Sequence, residues 1–173
     1  GPDEGKDAVL GPVKLDGDQF ASPIEVTLEG VRIRNNDVTG RYGISCTANT
    51  SSPTLRLHRM VISQSTSEPP PTPPPPGALY VSGCTIEVDR TAIINNNSNA
   101  LILAEPAVAQ TKYQITNSII ANNTLGDARG GVGALAAVRL AGTGIFRFNT
   151  VVNNTIAQPI LPLIGGVDCG PTQ

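Results

Sequence analysis

The chain has 173 residues, a net charge of −2 and few aromatic side chains, namely three Phe, three Tyr and no Trp. Its length suits one domain with its own core. Charged residues make up 15% of the chain and are dispersed, so no basic stripe exists for nucleic acid or an anionic membrane, and no apolar run predicts membrane insertion.

The first 23 residues precede the main pattern. Gly1 and Pro2 resemble the remnant of a cleaved tag, and residues 3–23 are predicted to form an N-terminal cap or a first coil. Asp16 and Asp18 flank Gly17 in a predicted turn and could contribute to a calcium site. Two carboxylates are weak evidence for such a site, so we predict no metal and no cofactor.

Five segments of the remaining chain align without a gap. Each begins with two-residue alternation of apolar and polar side chains and is rich in β-branched residues, which predicts half-buried strands rather than helices. The segments are VTLEGVRIRNN (26–36), LRLHRMVISQS (55–65), IEVDRTAIINN (86–96), YQITNSIIANN (113–123) and IFRFNTVVNNT (145–155).

Two columns run through the aligned segments. The apolar column contains Ile33, Ile62, Ile93, Ile120 and Val152. The amide column, two residues later, contains Asn35, Gln64, Asn95, Asn122 and Asn154. An amide side chain at a corner between strands can bond to the coils above and below, and Asn tolerates a left-handed backbone. We therefore predict a structural Asn/Gln ladder.

A third short apolar run follows each segment, at residues 42–44, 78–81, 100–103, 135–140 and 160–164. Two to three strands per repeat, with stacked columns, predict a parallel β-helix of about five to six coils over residues 24–173.

The Pro-rich stretch at 68–77 falls between the second and third coils. It should be a stiff polyproline excursion, and the alternative is a ligand for an aromatic-lined groove.

The repeat resembles the right-handed parallel β-helix proteins of the pectin-lyase-like superfamily, and most closely the bacterial secreted and cell-surface members. Their pattern L-x-L-x-N-x-x-I-x-x-N is similar to residues 113–123, and Asp168-Cys169-Gly170 is similar to a segment near the end of such repeats. The resemblance covers residues 24–169. It implies the fold, but not one activity, because such folds carry lyases, hydrolases, adhesins and plain stalks.

Cysteines and sequons leave alternatives open. Cys46, Cys84 and Cys169 lack metal-ligand spacing, so one disulfide is possible and its pairing is not assigned. Sequons of the type N-x-S/T begin at Asn49, Asn96, Asn122 and Asn153. Three of them belong to the corner asparagines, so we interpret them as by-products of the ladder rather than as glycosylation sites.

The outward positions of the first strand carry the chemically interesting residues. If the apolar alternates point inward, one face gathers Glu29, Arg56, His58, Glu87 and Asp89 within about 10 Å. A carboxylate pair beside a cation could perform acid–base chemistry on a sugar. The alternative, which we favour, is a surface ladder of ion pairs between coils.

On the last coil, Phe146 and Phe148 are predicted to point outward, where they form a sugar-stacking platform or are covered by a further C-terminal region. Arg147 would then point inward, which indicates that the motif slips there.

Three functions compete. The favoured hypothesis is a non-catalytic segment of an extracellular or cell-surface protein, an adhesive rod that could bind polysaccharide or a surface glycan and could self-associate end to end. The second is a carbohydrate-active lyase or hydrolase that uses the charged face. The sequence lacks the Gly-His-Gly pattern of polygalacturonases and the aspartate cluster of pectate lyases, which disfavours this second reading. The third is a protein-interaction module that acts through the Pro-rich loop.

Overall fold

The computed structural model describes residues 9–34, 42–64, 77–97, 99–104, 110–125, 136–156 and 164–169. Within these ranges the backbone consists of short strands joined by tight corners, with one short 3₁₀ helix. The strands coincide with the alternating β-branched segments, whose side chains fit a pleated and half-buried surface. The predicted all-β class is confirmed. The predicted tag remnant and residues 68–76 of the Pro-rich stretch lie outside the described residues.

The strands follow a repeating order. The N-terminal ones are β1 (Val9–Leu10) and β2 (Val13–Asp16), which the 3₁₀ helix (Gly17–Gln19) follows. Next come β3 (Glu25–Glu29), β4 (Arg32–Arg34), β5 (Tyr42–Thr47), β6 (Thr54–His58), β7 (Val61–Ser63), β8 (Gly77–Ser82), β9 (Thr85–Asp89), β10 (Ala92–Ile94) and β11 (Asn99–Ala104). The last are β12 (Lys112–Thr116), β13 (Ile119–Ala121), β14 (Thr124–Leu125), β15 (Ala136–Leu140), β16 (Thr143–Arg147), β17 (Thr150–Val152), β18 (Thr155–Ile156) and β19 (Ile164–Cys169).

These strands stack into three parallel sheets. Sheet I has the order β3-β6-β9-β12-β16, sheet II the order β1-β4-β7-β10-β13-β17, and sheet III the order β2-β5-β8-β11-β15-β19, with a short β14-β18 pair beside them. The described chain is therefore a parallel β-solenoid. Sheet I has five strands, and the four steps from the first strand to the last correspond to about four turns of the solenoid. This number is slightly lower than the predicted five to six coils.

The apolar column lies at the centre of the core. Ile33, Ile62, Ile93 and Ile120 are neighbours in the register of sheet II, and all four are fully buried. Leu55, Leu57, Ile86, Val88 and Ile115 point inward from sheet I, as predicted from the alternation; Ile44, Leu79, Leu101 and Val138 complete the core from sheet III. A single coil cannot bury these side chains, so each turn depends on its neighbours.

The last coil corrects the predicted alignment by one residue. Ile120 pairs with Val151, whereas Val152 points outward and is 43% exposed. In sheet I, Tyr113 pairs with Gly144 rather than Ile145, and the Cβ of any larger residue at 144 would lie 1.9 Å from the Tyr113 carbonyl oxygen. The predicted slip therefore takes place, and glycine is what the close approach to Tyr113 requires.

The slip changes the side of the sheet on which Phe146 and Arg147 lie. Phe146 pairs with Ile115 and packs against the core, so its predicted outward position is wrong. Arg147 pairs with Thr116 on the outer side of the sheet. Phe148 is 76% exposed at the following corner, and its ring lies 5.4 Å from the Arg147 guanidinium carbon. A one-residue shift in a strand exchanges the two faces for every side chain, which explains the reversal.

A disulfide joins two successive coils. Cys46 on β5 is bonded to Cys84 just before β9, and both side chains are fully buried. The sequence left this pairing open. Cys169, at the end of β19, is free and exposed. The bond ties β5 of sheet III to the beginning of β9 of sheet I, across 38 positions of the sequence.

Candidate ligand face

The predicted charged residues lie on adjacent strands of sheet I. Glu29, His58 and Asp89 are register neighbours on β3, β6 and β9. Two residues earlier on β6 and β9, Arg56 and Glu87 are also register neighbours. Two-residue alternation on each strand and parallel pairing between strands bring them to one side of the sheet. We call these five residues, together with Glu25, the charged face.

Arg56 is the centre of this face. Its Nε donates to Glu87 Oε2 at 2.7 Å, and a terminal guanidinium nitrogen donates to Glu25 on the other flanking strand. One arginine thus bridges three coils. Sequence reasoning missed Glu25, although its position two residues before Thr27 on the same alternation could have indicated it.

The remaining carboxylates also have partners. Glu29 accepts a hydrogen bond from Arg59, and this bond, with the Arg59 charge and a smaller effect of His58, lowers the pKa of Glu29. Asp89 Oδ1 accepts from Asn117 Nδ2 at 2.8 Å and from Thr116 Oγ1 at 3.0 Å. The bond from Asn117 is the main reason why the pKa of Asp89 is lowered. Both groups are therefore held ionised near neutral pH.

The carboxylates of the charged face can be judged as proton donors or as hydrogen-bond acceptors. A general acid that acts on a glycosidic oxygen needs a carboxyl pKa raised toward neutrality. Glu29 and Asp89 are shifted in the opposite direction, so they are suited to accept hydrogen bonds rather than to donate a proton. Sugar hydroxyls are donors of that kind. The observed ion pairs also match the favoured prediction of a ladder between coils.

Two internal ladders join the coils at the corners. In the first, the buried Asn123 donates its Nδ2 to Asn154 Oδ1 at 2.9 Å and to the Ile93 carbonyl at 3.0 Å. Its own Oδ1 accepts from the backbone N–H of Asn96 at 3.1 Å and from Asn96 Nδ2 at 2.8 Å. Asn154 donates in turn to the Ile120 carbonyl. Buried polar groups are thereby satisfied between coils.

The predicted amide column is divided between two roles. Asn154 belongs to the ladder. Gln64, Asn95 and Asn122 each lie one residue before the position on their coil that corresponds to a ladder residue. These three side chains are exposed, and their backbone is left-handed with φ of 55–57°. The amide ladder is therefore Asn96, Asn123 and Asn154 within the described residues. Asn35 lies outside them.

The second ladder has mixed chemistry. Thr91 Oγ1 accepts from the Met60 N–H at 3.4 Å, and its single hydrogen lies within reach of the Asp89 and Leu57 carbonyls. Ser118 Oγ accepts from the Thr91 N–H at 3.2 Å. Asn149 continues the column, because its Oδ1 accepts from the Ser118 N–H at 2.9 Å. Each member follows a left-handed corner residue, namely Arg59, Arg90, Asn117 or Phe148. Sequence reasoning did not single out this column, because its residues differ in type.

One of the two carboxylates near the N-terminus, Asp18, is held by hydrogen bonds from residues 49 and 50. Asp18 accepts hydrogen bonds from the backbone N–H groups of Asn49 and Thr50 and from both of their side chains. These bonds, led by that of the Thr50 N–H, keep the pKa of Asp18 far below its usual range. Among the described residues, no three His, Cys, Asp or Glu side chains converge as a metal site would require.

No helix in the described ranges has the length and hydrophobicity to cross a membrane. Comparison of the chain with protein-family profiles, with curated proteins and with solved structures finds no match in any of the three.

Proposed function

We propose that this chain is a non-catalytic segment of a secreted or cell-surface protein, a structural and adhesive β-solenoid rod that binds glycans on its charged face. We further propose that it belongs with the bacterial β-helix repeat proteins of the pectin-lyase-like superfamily and has a right-handed coil. The observation that carries the structural role is the continuity of the stack. Two buried ladders, a disulfide and an ion-paired face all join one coil to the next.

The disulfide supports the extracellular location. Disulfides form and persist in oxidising compartments and are rare in the cytosol. Cys46 and Cys84 are completely buried, so their bond is part of the packed core. A protein whose core contains such a bond is best suited to maturation outside the cytosol.

The geometry of sheet I supports glycan binding. Its outward side chains repeat at the strand spacing of about 4.8 Å, which resembles the length of one sugar residue in an extended polysaccharide. The acceptors on Glu29, Glu87 and Asp89 alternate with donors on Arg56 and His58 along the stack. Sugar hydroxyls both donate and accept, so a chain that lies along the stack would find a partner on each coil.

A panel of acidic and neutral polysaccharides tests the proposal, with retention of the protein and release of fragments scored in one assay. The double variant Glu87→Ala/Asp89→Ala should weaken retention about tenfold, the equivalent of roughly 1.4 kcal/mol. Lys14→Ala, which removes an exposed charge from sheet III, is the matched control and should bind as the parent does. Circular dichroism must show that both variants remain folded. Equal retention of all three proteins would contradict binding at this face.

The second candidate is a carbohydrate-active lyase or hydrolase. It is favoured by one observation, the position of His58 between Glu29 and Asp89 in the register. Release of reducing or unsaturated products in the same panel, lost in His58→Gln but not in Lys14→Ala, would establish it. The lowered pKa values of Glu29 and Asp89 favour retention without release.

A further inference from the structure

The four N-x-S/T sequons differ sharply in their surroundings. They begin at Asn49, Asn96, Asn122 and Asn153, and the structure buries the side chain of Asn96 while the other three are exposed. From the sequence, the three sequons at Asn96, Asn122 and Asn153 are interpreted alike, as by-products of the ladder. Burial and hydrogen bonding therefore decide which of them are compatible with a modified side chain in the folded protein.

Asn122 and Asn153 occupy the same corner on adjacent coils. Both have a left-handed backbone, with φ of 55° and 54°, which directs their side chains away from the core. Neither side-chain amide is hydrogen-bonded within the described part of the chain. The next residue in each case, Asn123 or Asn154, is the one that turns inward and forms the ladder. The corner amides are thus dispensable for the stack.

The hydroxyl residues of these two sequons are also near the surface. Thr124 begins β14 and Thr155 begins β18, and their Oγ1 atoms are 3.4 Å apart. Each corner therefore presents both groups that define a sequon, the amide nitrogen and the hydroxyl two residues later. A bulky addition at either amide would project into solvent.

Asn96 has the opposite environment. Its side chain is 2% exposed, and its Nδ2 donates to the Ile62 carbonyl at 3.2 Å and to Asn123 Oδ1 at 2.8 Å. Both amide hydrogens are therefore in use. A glycan on this nitrogen would remove one bond and place a sugar inside a close-packed core. Modification of Asn96 and formation of the stack exclude each other.

We propose that Asn122 and Asn153 are acceptor sites for Asn-linked glycans, and that Asn96 is not modified in the folded protein. The donor would be an oligosaccharide carried on a lipid pyrophosphate. A bond forms between the Asn Nδ2 and the anomeric carbon of the first sugar, and the bond from that carbon to the pyrophosphate oxygen breaks. The lipid pyrophosphate leaves with the electron pair, and the amide loses one proton. The inference depends on the extracellular location proposed above, and it is independent of glycan binding at sheet I.

The test uses the full chain with an added secretion signal, expressed in a host that performs Asn-linked glycosylation. Folded protein is selected by its intact Cys46–Cys84 disulfide and its resistance to protease. Enzymatic release of glycans in ¹⁸O-water then converts each modified Asn to labelled Asp, which peptide mass spectrometry locates. We expect label at Asn122 and Asn153 and none at Asn96.

Matched variants separate the sites. Thr124→Val and Thr155→Val each remove one sequon and should abolish label at the corresponding corner only. Thr150→Val removes an exposed hydroxyl on the neighbouring strand β17 without affecting a sequon, and should leave both labels. The proposal is overturned if folded protein lacks label at both corners, or if it carries label at Asn96. Because the secretion signal imposes the location, this result does not depend on whether the natural protein is extracellular or binds sugars.

Discussion

At the scale of single residues, the paired asparagines of this chain have different roles at adjacent positions. Asn122 adopts the left-handed conformation that turns the corner, and Asn123 points inward and bonds to the coils on both sides. Asn tolerates left-handed backbone better than most residues, and its amide can donate and accept at once. The two requirements explain why the same residue type is repeated, and why the repeat by itself does not distinguish them.

The ladder gives the first prediction. Asn123→Ala leaves the Asn96 backbone N–H, one hydrogen of Asn96 Nδ2 and the Ile93 carbonyl without their buried partner, and each unsatisfied group costs about 1–3 kcal/mol. We expect the free energy of unfolding in urea to fall by about 3 kcal/mol or more. Asn122→Gly is the control, since glycine also accepts a left-handed corner, and it should change stability little. Equal losses in the two variants would show that the ladder is not the source of the stability.

Phe148 gives the second prediction. It has φ of 57° and is 76% exposed. Of the four corresponding corners, two carry Gly30 and Asn117, which adopt this conformation more easily, and the other two carry Arg59 and Arg90. Left-handed backbone costs an ordinary residue about 1–2 kcal/mol, and the contact with Arg147 returns only about 0.5 kcal/mol. Phe148→Asn should therefore raise the free energy of unfolding by about 1 kcal/mol. Phe148→Leu keeps the backbone cost and should give no such gain, so a gain in both would disprove the role of backbone strain.

At the scale of elements, the disulfide is the strongest local constraint between two coils. It closes a loop of 38 residues, for which the chain-entropy account gives about 4 kcal/mol of stabilisation. The ladders act at two corners of the solenoid, and the disulfide acts at the third, where β9 begins. The three corners are therefore joined by different chemistry.

The third prediction concerns this bond. Cys46→Ala/Cys84→Ala should lower the free energy of unfolding by up to about 4 kcal/mol, measured by denaturant titration. Cys169→Ser, which changes an exposed thiol, should leave stability unchanged. In the parent, a thiol reagent should label Cys169 alone, both in the native state and after unfolding without reductant. Labelling of three cysteines after such unfolding would mean that the disulfide is not formed.

Strand register explains the one element that the aligned repeats misplace. The first four motifs share a register, so their columns follow from alignment alone. In the fifth, Gly144 rather than Ile145 must lie against Tyr113, because no side chain fits there. Steric fit between coils outweighed the similarity of the motif.

At the scale of the whole molecule, stability should depend on pH through carboxylates that accept hydrogen bonds in the folded state. Asp18, Glu29 and Asp89 all have lowered pKa values, for the reasons given above. A carboxyl whose folded pKa lies below its unfolded value stabilises the fold above the unfolded pKa, which is about 4. That stabilisation is lost as the pH falls through the folded value.

The fourth prediction follows from Asp18, whose pKa is lowered most. The midpoint of urea unfolding should be nearly constant from pH 7 to about pH 5 and should decrease below about pH 4. Asp18→Asn cannot ionise, so it should be less stable than the parent at pH 7, and the difference should shrink toward pH 3. Asp16→Asn changes a neighbouring carboxyl and serves as the control. A constant difference between parent and Asp18→Asn at all pH values would contradict the linkage.

Self-association end to end stays a prediction, and it gives the fifth test. Within the described residues, β3 and β16 each pair on one side only, and unpaired strand edges favour association. Sedimentation velocity should show species whose size grows with protein concentration. Ile145→Lys places a charge on the outer side of β16, where the side chain is 44% exposed, and should reduce that growth. A single monomeric species over the whole concentration range would refute the prediction.

The sequence by itself determined the solenoid, because a β-branched column repeated at every turn can be buried only by stacking. It also predicted the grouping of Glu29, Arg56, His58, Glu87 and Asp89, because alternation and parallel pairing place them on one side of neighbouring strands that share a register. Tertiary structure decided the rest: the Cys46–Cys84 bond, the shifted ladder, the register of the last coil and the partners of each carboxylate. These depend on which side chains meet and fit across adjacent coils, and a linear pattern does not contain those contacts.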